Sequence, residues 1–327
     1  MIRRVSDQRG FALMAVLLGL SLLTVVVLEF AFAMRLEASA GHAFKQDRLA
    51  THLAEAAVQQ ALVEISSGAT VAAMNASGRL TFHRVIPGST LATPLPGLDR
   101  ERVPLGAGVF SYRITDEEGR LNVNLAPPEQ LRTLLEGLGL DRQARDVVVD
   151  SLEDWKDADE LRRANGAESD DYYLRLPVPY RARNAPLQDL AELRQIRGIT
   201  PALYEGTADK PGLAALTTVH GPGTININAA PAPVLAALGL PEAAVKDILQ
   251  SRARSPYTVV PARFGGMGLG VGSITFRIEA EGRTAEGRPM HITAVVQRRE
   301  PKPARASTDV LSTLGLAVLA WRTGDTR

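Results

Sequence analysis

The feature that most constrains this chain is an uncharged apolar run close to its N-terminus. Residues 11–28 carry no charge, and the apolar character continues past Glu29 as far as residue 34. At about 1.5 Å per residue, a helix over 11–34 is about 36 Å long, which is enough to cross the hydrocarbon core of a bilayer. Three arginines and one aspartate precede the run, so we expect a single span with its N-terminus in the cytoplasm and the rest translocated.

Three interpretations of this segment stay open. Ala31-Phe32-Ala33 has the small-x-small pattern of a secretory cleavage site, although the apolar run is longer than the about 7–15 residues usual there. A plain, uncut anchor is the second interpretation. The third rests on Arg9-Gly10-Phe11, which resembles the site in type IV pilins and type II secretion pseudopilins that prepilin peptidase cuts, here between Gly10 and Phe11. That cut removes three Arg and one Asp from a chain of net charge +1, which leaves −1.

Small and apolar residues continue at helical spacing beyond the run. They are Leu36, Ala40, Ala43, Ala50, Leu53, Ala54, Ala57, Ala61 and Ile65. Their steps of mostly three and four predict one helix, membrane-spanning over 11–34 and amphipathic over 35–66, with Ser66-Ser67-Gly68 ending it. Alternating segments at 109–114, 274–281, 291–297 and 316–322 predict the strands of a sheet that this helix can cover.

The middle of the chain contains an internal repeat. Leu121-Asn-Val-Asn124 is echoed by Ile225-Asn-Ile-Asn228, and 138–152 aligns without gaps to 238–252, with Gly between two short helices in each unit. Such units resemble helix-hairpin-helix motifs, which grip DNA phosphates; the alternative is a compact helix pair. We favour the pair and expect no nucleic acid, because 136–160 holds nine acids against three bases and DNA binding needs a basic face. A membrane-anchored DNA-binding protein is the corresponding alternative function.

An acidic segment lies between the repeats. Asp154-Trp-Lys-Asp157-Ala-Asp159 is followed by Gly166-Ala-Glu168 and Asp171-Tyr-Tyr173. Closely spaced carboxylates around a glycine are typical of loops that gather oxygen ligands for Ca²⁺, and a solvated acidic loop explains the pattern equally well. Cysteine is absent from the chain, so Cys-type metal sites are excluded.

The pattern D-W-x-D-x-D, then G-A-E, then Y-Y, flanked by two N-x-N units, is similar to the K-type minor pseudopilins of type II secretion. The resemblance implies an α+β fold in which a pilin-like long N-terminal helix packs on an antiparallel sheet, interrupted by a large all-helical insert with helix-hairpin-helix-like repeats. It also implies calcium on some of Asp154, Asp157, Asp159, Glu168 and Asp171. The implied organisation is a leader 1–10, a transmembrane helix 11–34, its continuation 35–66, a body 67–115, an insert 116–252 and a C-terminal body 253–327.

The same resemblance implies a function and a location. A minor pseudopilin is cut by prepilin peptidase, is N-methylated, and sits in the bacterial inner membrane with its body in the periplasm. It is expected at the tip of a short fibre, where it nucleates assembly with other minor pseudopilins. Further expected partners are the major pseudopilin, the inner-membrane assembly platform and exported proteins. Most pilins and pseudopilins have Glu at the fifth mature residue, where this chain has Ala15, and the K-type family typically lacks that Glu. A type IV pilus minor pilin, which shares the anchor, is an alternative function.

Catalytic patterns are missing from the sequence. The five histidines lie on different segments without metalloprotease spacing, and there is no G-x-S-x-G, P-loop or dinucleotide fingerprint. The adjacent acids Glu117-Glu118 and Asp170-Asp171 are expected to be solvated turn residues. We therefore expect a protein that is not an enzyme.

Overall fold

The computed structural model describes residues 8–86, 91–300, 311 and 314–324, so most of the predicted leader lies outside the described residues. The helices are α1 (Gln8–Ile65), α2 (Pro128–Gly137), α3 (Arg142–Lys156), α4 (Pro201–Glu205), α5 (Leu213–Leu216), α6 (Ala232–Ala237) and α7 (Glu242–Arg254). The strands are β1 (Val71–Met74), β2 (Leu80–Val85), β3 (Ala92–Pro94), β4 (Val103–Leu105), β5 (Gly108–Asp116), β6 (Leu121–Asn122), β7 (Thr217–Thr218), β8 (Ile225–Asn226), β9 (Leu269–Gly270), β10 (Thr275–Thr284), β11 (Met290–Arg298) and β12 (Leu316–Thr323).

Helix α1 is continuous, but it is buried only in its last third. From Ala50 onward its small residues pack into the core, including Ala54, Ala57 and Ala61 with no exposed surface. The amphipathic pattern also predicted burial nearer the membrane, and there it is wrong, because Leu36 is 63% exposed and Ala40 and Ala43 are exposed as well. The helix ends at Ile65, just before the predicted Ser66-Ser67-Gly68, and Gly68 lies in the left-handed region at φ 70°.

Two antiparallel sheets make up the body of the molecule. The larger has the order β12-β11-β10-β5-β4, and the smaller has β1-β2-β3. The four predicted strands of the sheet are confirmed as parts of β5, β10, β11 and β12, whereas β1 to β4 were not predicted. Helix α1 packs across β5, β10 and β11, so the α+β architecture with a long helix on an antiparallel sheet is confirmed.

Small residues let α1 lie unusually close to this sheet. A Cβ on Gly282 of β10 would overlap the carbonyl oxygen of Ala50 and would lie 2.5 Å from the amide nitrogen of Ala54. A Cβ on Gly108 of β5 would likewise overlap the side chain of Leu53. Since real Cβ atoms do not approach so closely, glycine at these positions sets the distance between helix and sheet.

One ion pair is buried under α1. Glu64 is 6% exposed and Arg100 is 6% exposed, and the Arg100 Nε lies 3.1 Å from a Glu64 carboxylate oxygen. The Tyr112 hydroxyl donates to the other oxygen of the same carboxylate at 2.6 Å. Buried polar side chains, shielded from water, thereby join the helix to β5.

The insert runs between β5 and β10 and has its own hydrophobic core. The expectation that it is all-helical is wrong, because the short parallel pairs β6–β7 and β8–β9 lie within it and much of 157–200 is irregular. Phe264 is buried in the insert's core, and Leu269 packs against it. This packing therefore continues past the predicted boundary at 252.

The predicted repeat has a structural basis. In each unit two helices are joined through a glycine in the left-handed region, Gly139 at φ 97° and Gly239 at φ 83°. The second Asn of each N-x-N unit exchanges hydrogen bonds with a distant backbone: Asn124 with Leu187, and Asn228 with Tyr257. Each of these asparagines therefore satisfies the N–H and C=O groups of one loop residue, which would otherwise lack hydrogen-bond partners in the interior.

Candidate functional site

The apolar N-terminal part of α1 has no cover among the described residues. Phe11 is 79% exposed, and every residue from 11 to 44 is exposed. Residues 11–65 form the one helix, within the described chain, that is long and apolar enough to span a membrane. The predicted processing site, Gly10 and Phe11, lies in the first turn of α1, with Ala15 about one turn further along. An exposed apolar helix of this length needs a lipid or protein partner.

The acidic segment follows α3, and its first carboxylate is buried. Asp154 has no exposed surface, and both its oxygens accept the amide proton of Arg163 at 3.2 Å. A Cβ on Gly166 would overlap the Asp154 carboxylate, so glycine here lets the loop fold over that side chain. Burial raises the pKa of Asp154 to about 6.

Glu168 is the most unusual side chain of the segment. It is 2% exposed, yet neither carboxylate oxygen has a hydrogen-bond partner among the described residues. Burial and then the negative charge of Asp154 raise the pKa of Glu168 to about 7. It lines a pocket of about 530 Å³ together with Glu160 and Asp171. A buried carboxylate without donors is costly unless a proton or a cation neutralises it.

The remaining predicted carboxylates differ in their partners. Asp157 has one buried oxygen without a hydrogen bond, and its other oxygen lies 3.7 Å from Arg163 Nη2. Asp159 accepts the Leu161 amide proton at 2.8 Å, an interaction within the loop. Asp171 accepts the Glu168 amide proton at 2.9 Å and lies 3.1 Å from Arg162 Nε. Arginines therefore compensate part of the negative charge, as the solvated-loop interpretation requires.

Trp155, Tyr173 and Tyr180 form a cluster beside the acidic segment, here called the aromatic floor. Trp155 and Tyr173 contact edge to face with their centroids 5.2 Å apart, and Tyr180 packs against both rings. Trp155 is 2% exposed and Tyr173 has no exposed surface. This apolar floor explains why Trp and Tyr accompany the carboxylates, because it lowers the local polarity and strengthens their electrostatic interactions.

The five predicted ligands thus lie in one loop, but their carboxylate oxygens do not converge on a common position. Within the described ranges, no three His, Asp or Glu side chains are arranged to hold a metal ion. The donor set is all oxygen, as Ca²⁺ requires, and the buried, unpartnered oxygens of Glu168 and Asp157 suit a cation. Binding would need Arg163 to release Asp154 and Asp157.

A second carboxylate cluster, at the junction of body and insert, was not anticipated. Glu117 and Glu118 were expected to be solvated, and this is wrong: Glu117 is fully buried and Glu118 is 6% exposed. Glu117 accepts from Arg277 Nε at 2.7 Å and pairs with Arg120 at 3.3 Å. Its hydrogen bond to Thr218 reaches into the insert. Sequence gave no sign of this burial, because Arg277 lies far along the chain.

The two neighbours of Glu117 hold the segment that returns to the sheet. Asp116 accepts hydrogen bonds from Ser273 at 2.6 Å and from Asn226 at 2.7 Å. Glu118 accepts the amide protons of residues 274 and 275 at 2.8 and 2.9 Å. Burial raises the pKa of Asp116 to about 6 and that of Glu118 to about 7. Burial would also raise the pKa of Glu117, but Arg120 and Arg277 outweigh it and lower that pKa.

The insert lies at the end of the body away from the apolar helix. Asn226 donates to the Ala72 carbonyl at 2.9 Å, and the Met74 amide donates to Asn228 at 3.1 Å; β1 follows directly after the end of α1. The turn between β10 and β11 lies at the opposite end, where Glu286 is 3.4 Å from His42 of α1. The insert therefore contacts the body at the end opposite the β10–β11 turn, and it also reaches the sheet at Arg322, which pairs with Asp189.

Comparison with protein families gives two matches, both described as type II secretion system protein K. The first covers residues 113–211 and the second covers 225–264. Together they take in the end of β5 and most of the insert, including the acidic segment and both N-x-N units.

Individual proteins and structures agree with these matches. A type II secretion system protein K of Pectobacterium carotovorum is 33% identical over 275 residues, which is 76% of each chain. The corresponding protein of Pseudomonas aeruginosa is 27% identical and covers 60% of this chain and 63% of its own. A chain in the crystal structure of the GspK–GspI–GspJ complex of enterotoxigenic Escherichia coli superposes with a TM-score of 0.60 at 19% identity, over 90% of this chain and 99% of that one.

Proposed function

Since the chain belongs to the family of type II secretion system protein K, and is thus a minor pseudopilin, we propose that it occupies the tip of a periplasmic fibre. There it nucleates assembly with other minor pseudopilins and supports protein export. The observation that carries this proposal is the position of the insert, which contacts β1 beyond the end of α1. An insert of that size on the membrane-distal end would obstruct another subunit stacked above, which supports the tip position.

The N-terminus supports the same placement. An unpaired ammonium in hydrocarbon costs several kcal/mol, so a fibre subunit with a neighbour above offers that neighbour's N-terminus a carboxylate at its fifth mature residue. This chain has Ala15 there, and a subunit at the tip has no such neighbour. Its own N-terminus forms when prepilin peptidase cuts between Gly10 and Phe11 and is then methylated.

We place the span 11–34 in the bacterial inner membrane, with the N-terminus cytoplasmic and the body periplasmic. The exposed face of α1 beyond the span then packs against the helices of other subunits. The solved complex that contains a chain of this fold holds two further subunits, which supports other minor pseudopilins as partners. The major pseudopilin, the assembly platform of the inner membrane and exported proteins complete the proposed partners.

Calcium is the proposed cofactor of the insert. Glu168 and Asp154 are the primary candidates because they are buried and Glu168 lacks hydrogen-bond partners; Asp157, Asp159 and Asp171 complete the candidate set. The ion would supply positive charge that stabilises this loop on its aromatic floor. Its binding would strengthen the insert and would have no chemical step to perform.

Processing is tested by intact mass and terminal sequencing of the chain from its native membrane. We expect a methylated chain that begins at Phe11, and Gly10→Leu should leave Met1 in place. Gly19→Leu is the matched control, since no atom lies within 4 Å of a Cβ at that position. A chain that begins at residue 34, or an uncut wild-type chain, would remove the assembly role.

The tip position is tested by cysteine cross-linking. The chain has no cysteine of its own, so each introduced cysteine is the single reactive thiol of this subunit. Leu36→Cys on the exposed helix should cross-link to other pseudopilins in assembled fibres. Leu161→Cys in the insert is more exposed, at 79%, yet should not cross-link to the major pseudopilin. Cross-links from residue 161 to a subunit stacked above would contradict the proposal.

A further inference from the structure

One edge of the larger sheet differs from all other sheet edges in the described chain. The opposite edge, β4, has three residues with Pro104 at its centre. In the smaller sheet, β3 ends in Pro94, and β1 is bonded to the insert through Asn226 and Asn228. Short length, proline and coverage are the usual means by which proteins prevent edge pairing. Only β12 has none of them.

Strand β12 is also long and apolar. Its eight residues, LAVLAWRT, contain no Gly, Pro or acid. Val318 is 40% exposed and Trp321 is 47% exposed. The single charge, on Arg322, is already paired with Asp189 of the insert at 2.9 Å. A strand of this composition at a sheet edge is a template for another strand.

The register shows which backbone groups are free to pair. Gly324 donates to the His291 carbonyl at 3.0 Å, and Arg299 donates to the Gly315 carbonyl at 2.8 Å, so these residues form hydrogen-bonded pairs with β11. Because residues alternate in an antiparallel ladder, and the register shifts once at Val295/Val296, residues 316, 318, 321 and 323 direct their N–H and C=O groups away from β11. Within the described residues no strand pairs with this side of β12.

Membrane geometry limits what can pair there. Two copies joined antiparallel through β12 would be related by a twofold axis normal to the sheet. Helix α1 lies along the face of that sheet, so this axis would reverse its direction. The two membrane spans would then point in opposite directions, which chains inserted in the same orientation cannot do.

From this we infer that the outer edge of β12 binds an extended strand of a different membrane-anchored pseudopilin, which adds a sixth strand to the sheet. The inference rests on the proposed function, because a subunit present once at a fibre tip has no second copy beside it. Backbone hydrogen bonds supply the pairing, and Val318 and Trp321 provide apolar contact on the face towards α1.

The first test measures which minor pseudopilins co-purify with the full chain from detergent-solubilised native membranes. Lysine blocks an edge by charge, so Val318→Lys should reduce recovery of one partner at least tenfold. Leu105→Lys on β4 is the matched control, with a similarly exposed leucine at 49%, and should leave recovery unchanged. If the wild-type chain recovers no minor pseudopilin, the proposed function fails; if it does and Val318→Lys recovers the same amount, the edge inference fails.

The second test is hydrogen exchange with single-residue resolution. In the isolated chain the amides of Trp321 and Thr323 should exchange fast and that of Arg322 slowly, and in the complex all three should be slow. Protection of residues 321 and 323 in the isolated chain would show that a segment of this chain covers the edge. Protection that appears only as the chain dimerises would show a second copy. Either result would overturn the inference.

Discussion

Replacing Glu117 by Gln should destabilise the protein far more than the same change at the adjacent Glu118. Glu117 is fully buried and faces two guanidinium groups, those of Arg277 and Arg120. Loss of one partner from a buried ion pair costs about 3–5 kcal/mol. The two arginine side chains keep 18% and 16% exposure, so they can partly regain water, and we expect about 3 kcal/mol, near the lower limit of that range.

Glu118 provides the matched control in the same turn. Its oxygen accepts two backbone amide protons, and among the described residues Glu118 forms no salt bridge, whereas Glu117 forms two. A Gln carbonyl oxygen can accept both amide protons. Burial raises the pKa of Glu118 to about 7, so at that pH a large fraction of the wild-type molecules already carries a protonated, neutral Glu118. We therefore expect Glu118→Gln to change the free energy of unfolding by less than about 1 kcal/mol at pH 7.

Urea unfolding of the detergent-solubilised full chain measures this difference. The chain has two tryptophans, Trp155 in the core of the insert and Trp321 on the edge strand β12, so fluorescence reports on both the insert and the sheet. With a slope of about 3 kcal/mol/M, Glu117→Gln should lower the midpoint by about 1 M. Equal midpoints for the two variants, or a loss below about 1 kcal/mol for Glu117→Gln, would show that the ion pair does not stabilise the junction.

Three further outcomes follow. Raised folded-state pKa values mean that stability falls as pH rises, from 4.5 to about 7 for Glu118 and Glu168 and from 3.8 to about 6 for Asp116 and Asp154. Urea midpoints should decrease over that range, and Glu118→Gln should make the decrease smaller in its upper part, where Glu168 still contributes. Calcium should raise the unfolding temperature of the wild-type chain but not of Glu168→Gln, with Asp209→Asn, an exposed acid outside the loop, as control; equal calcium effects in both would exclude Glu168 as a ligand. Gly282→Ala should cost at least about 2 kcal/mol by forcing α1 off the sheet, whereas Gly41→Ala, on the exposed helix, should stabilise by up to about 1 kcal/mol, as thermal unfolding would show.

Local pattern was enough to predict the long helix and the strands that form the centre of the sheet. The alternation at 274–281 and 291–297 survives in β10 and β11, because each strand has one face on α1 and one face away from it. Strands β1 to β4 were missed. Three of them have only three or four residues, β3 and β4 contain Pro, and β2 is fixed by its pairing with β1 and β3. Residues 36–43 of α1 were expected to be buried because spacing shows that a face is apolar without showing what covers it.

At the candidate sites, too, the sequence predicted local features but not the contacts between distant segments. Residue types and spacing located the acidic loop and the arginines that could pair with it. They did not show which carboxylates these arginines contact, such as Asp154 and Asp157 for Arg163. Nor did they reveal that Glu168 lacks hydrogen bonds, which depends on how the loop closes over the aromatic floor. Glu117 and Glu118 look like a polar turn in the sequence, and only the approach of Arg277, Thr218 and the 273–275 segment makes them interior residues.

The connections of the insert determine how the molecule responds to force. The insert leaves the sheet after Asp116 and returns at Thr275, and Asp116 pairs with Phe276 in the ladder. It therefore takes the place of a hairpin turn between two neighbouring strands. Tension on the insert along the strands would pull β5 and β10 in the same direction, so their ladders with β4 and β11 and their packing on α1 would be loaded in shear. The hydrogen bond between Asp116 and Asn226 of the insert would be stretched by the same load. Compression along α1 would instead press the insert onto the ends of both strands.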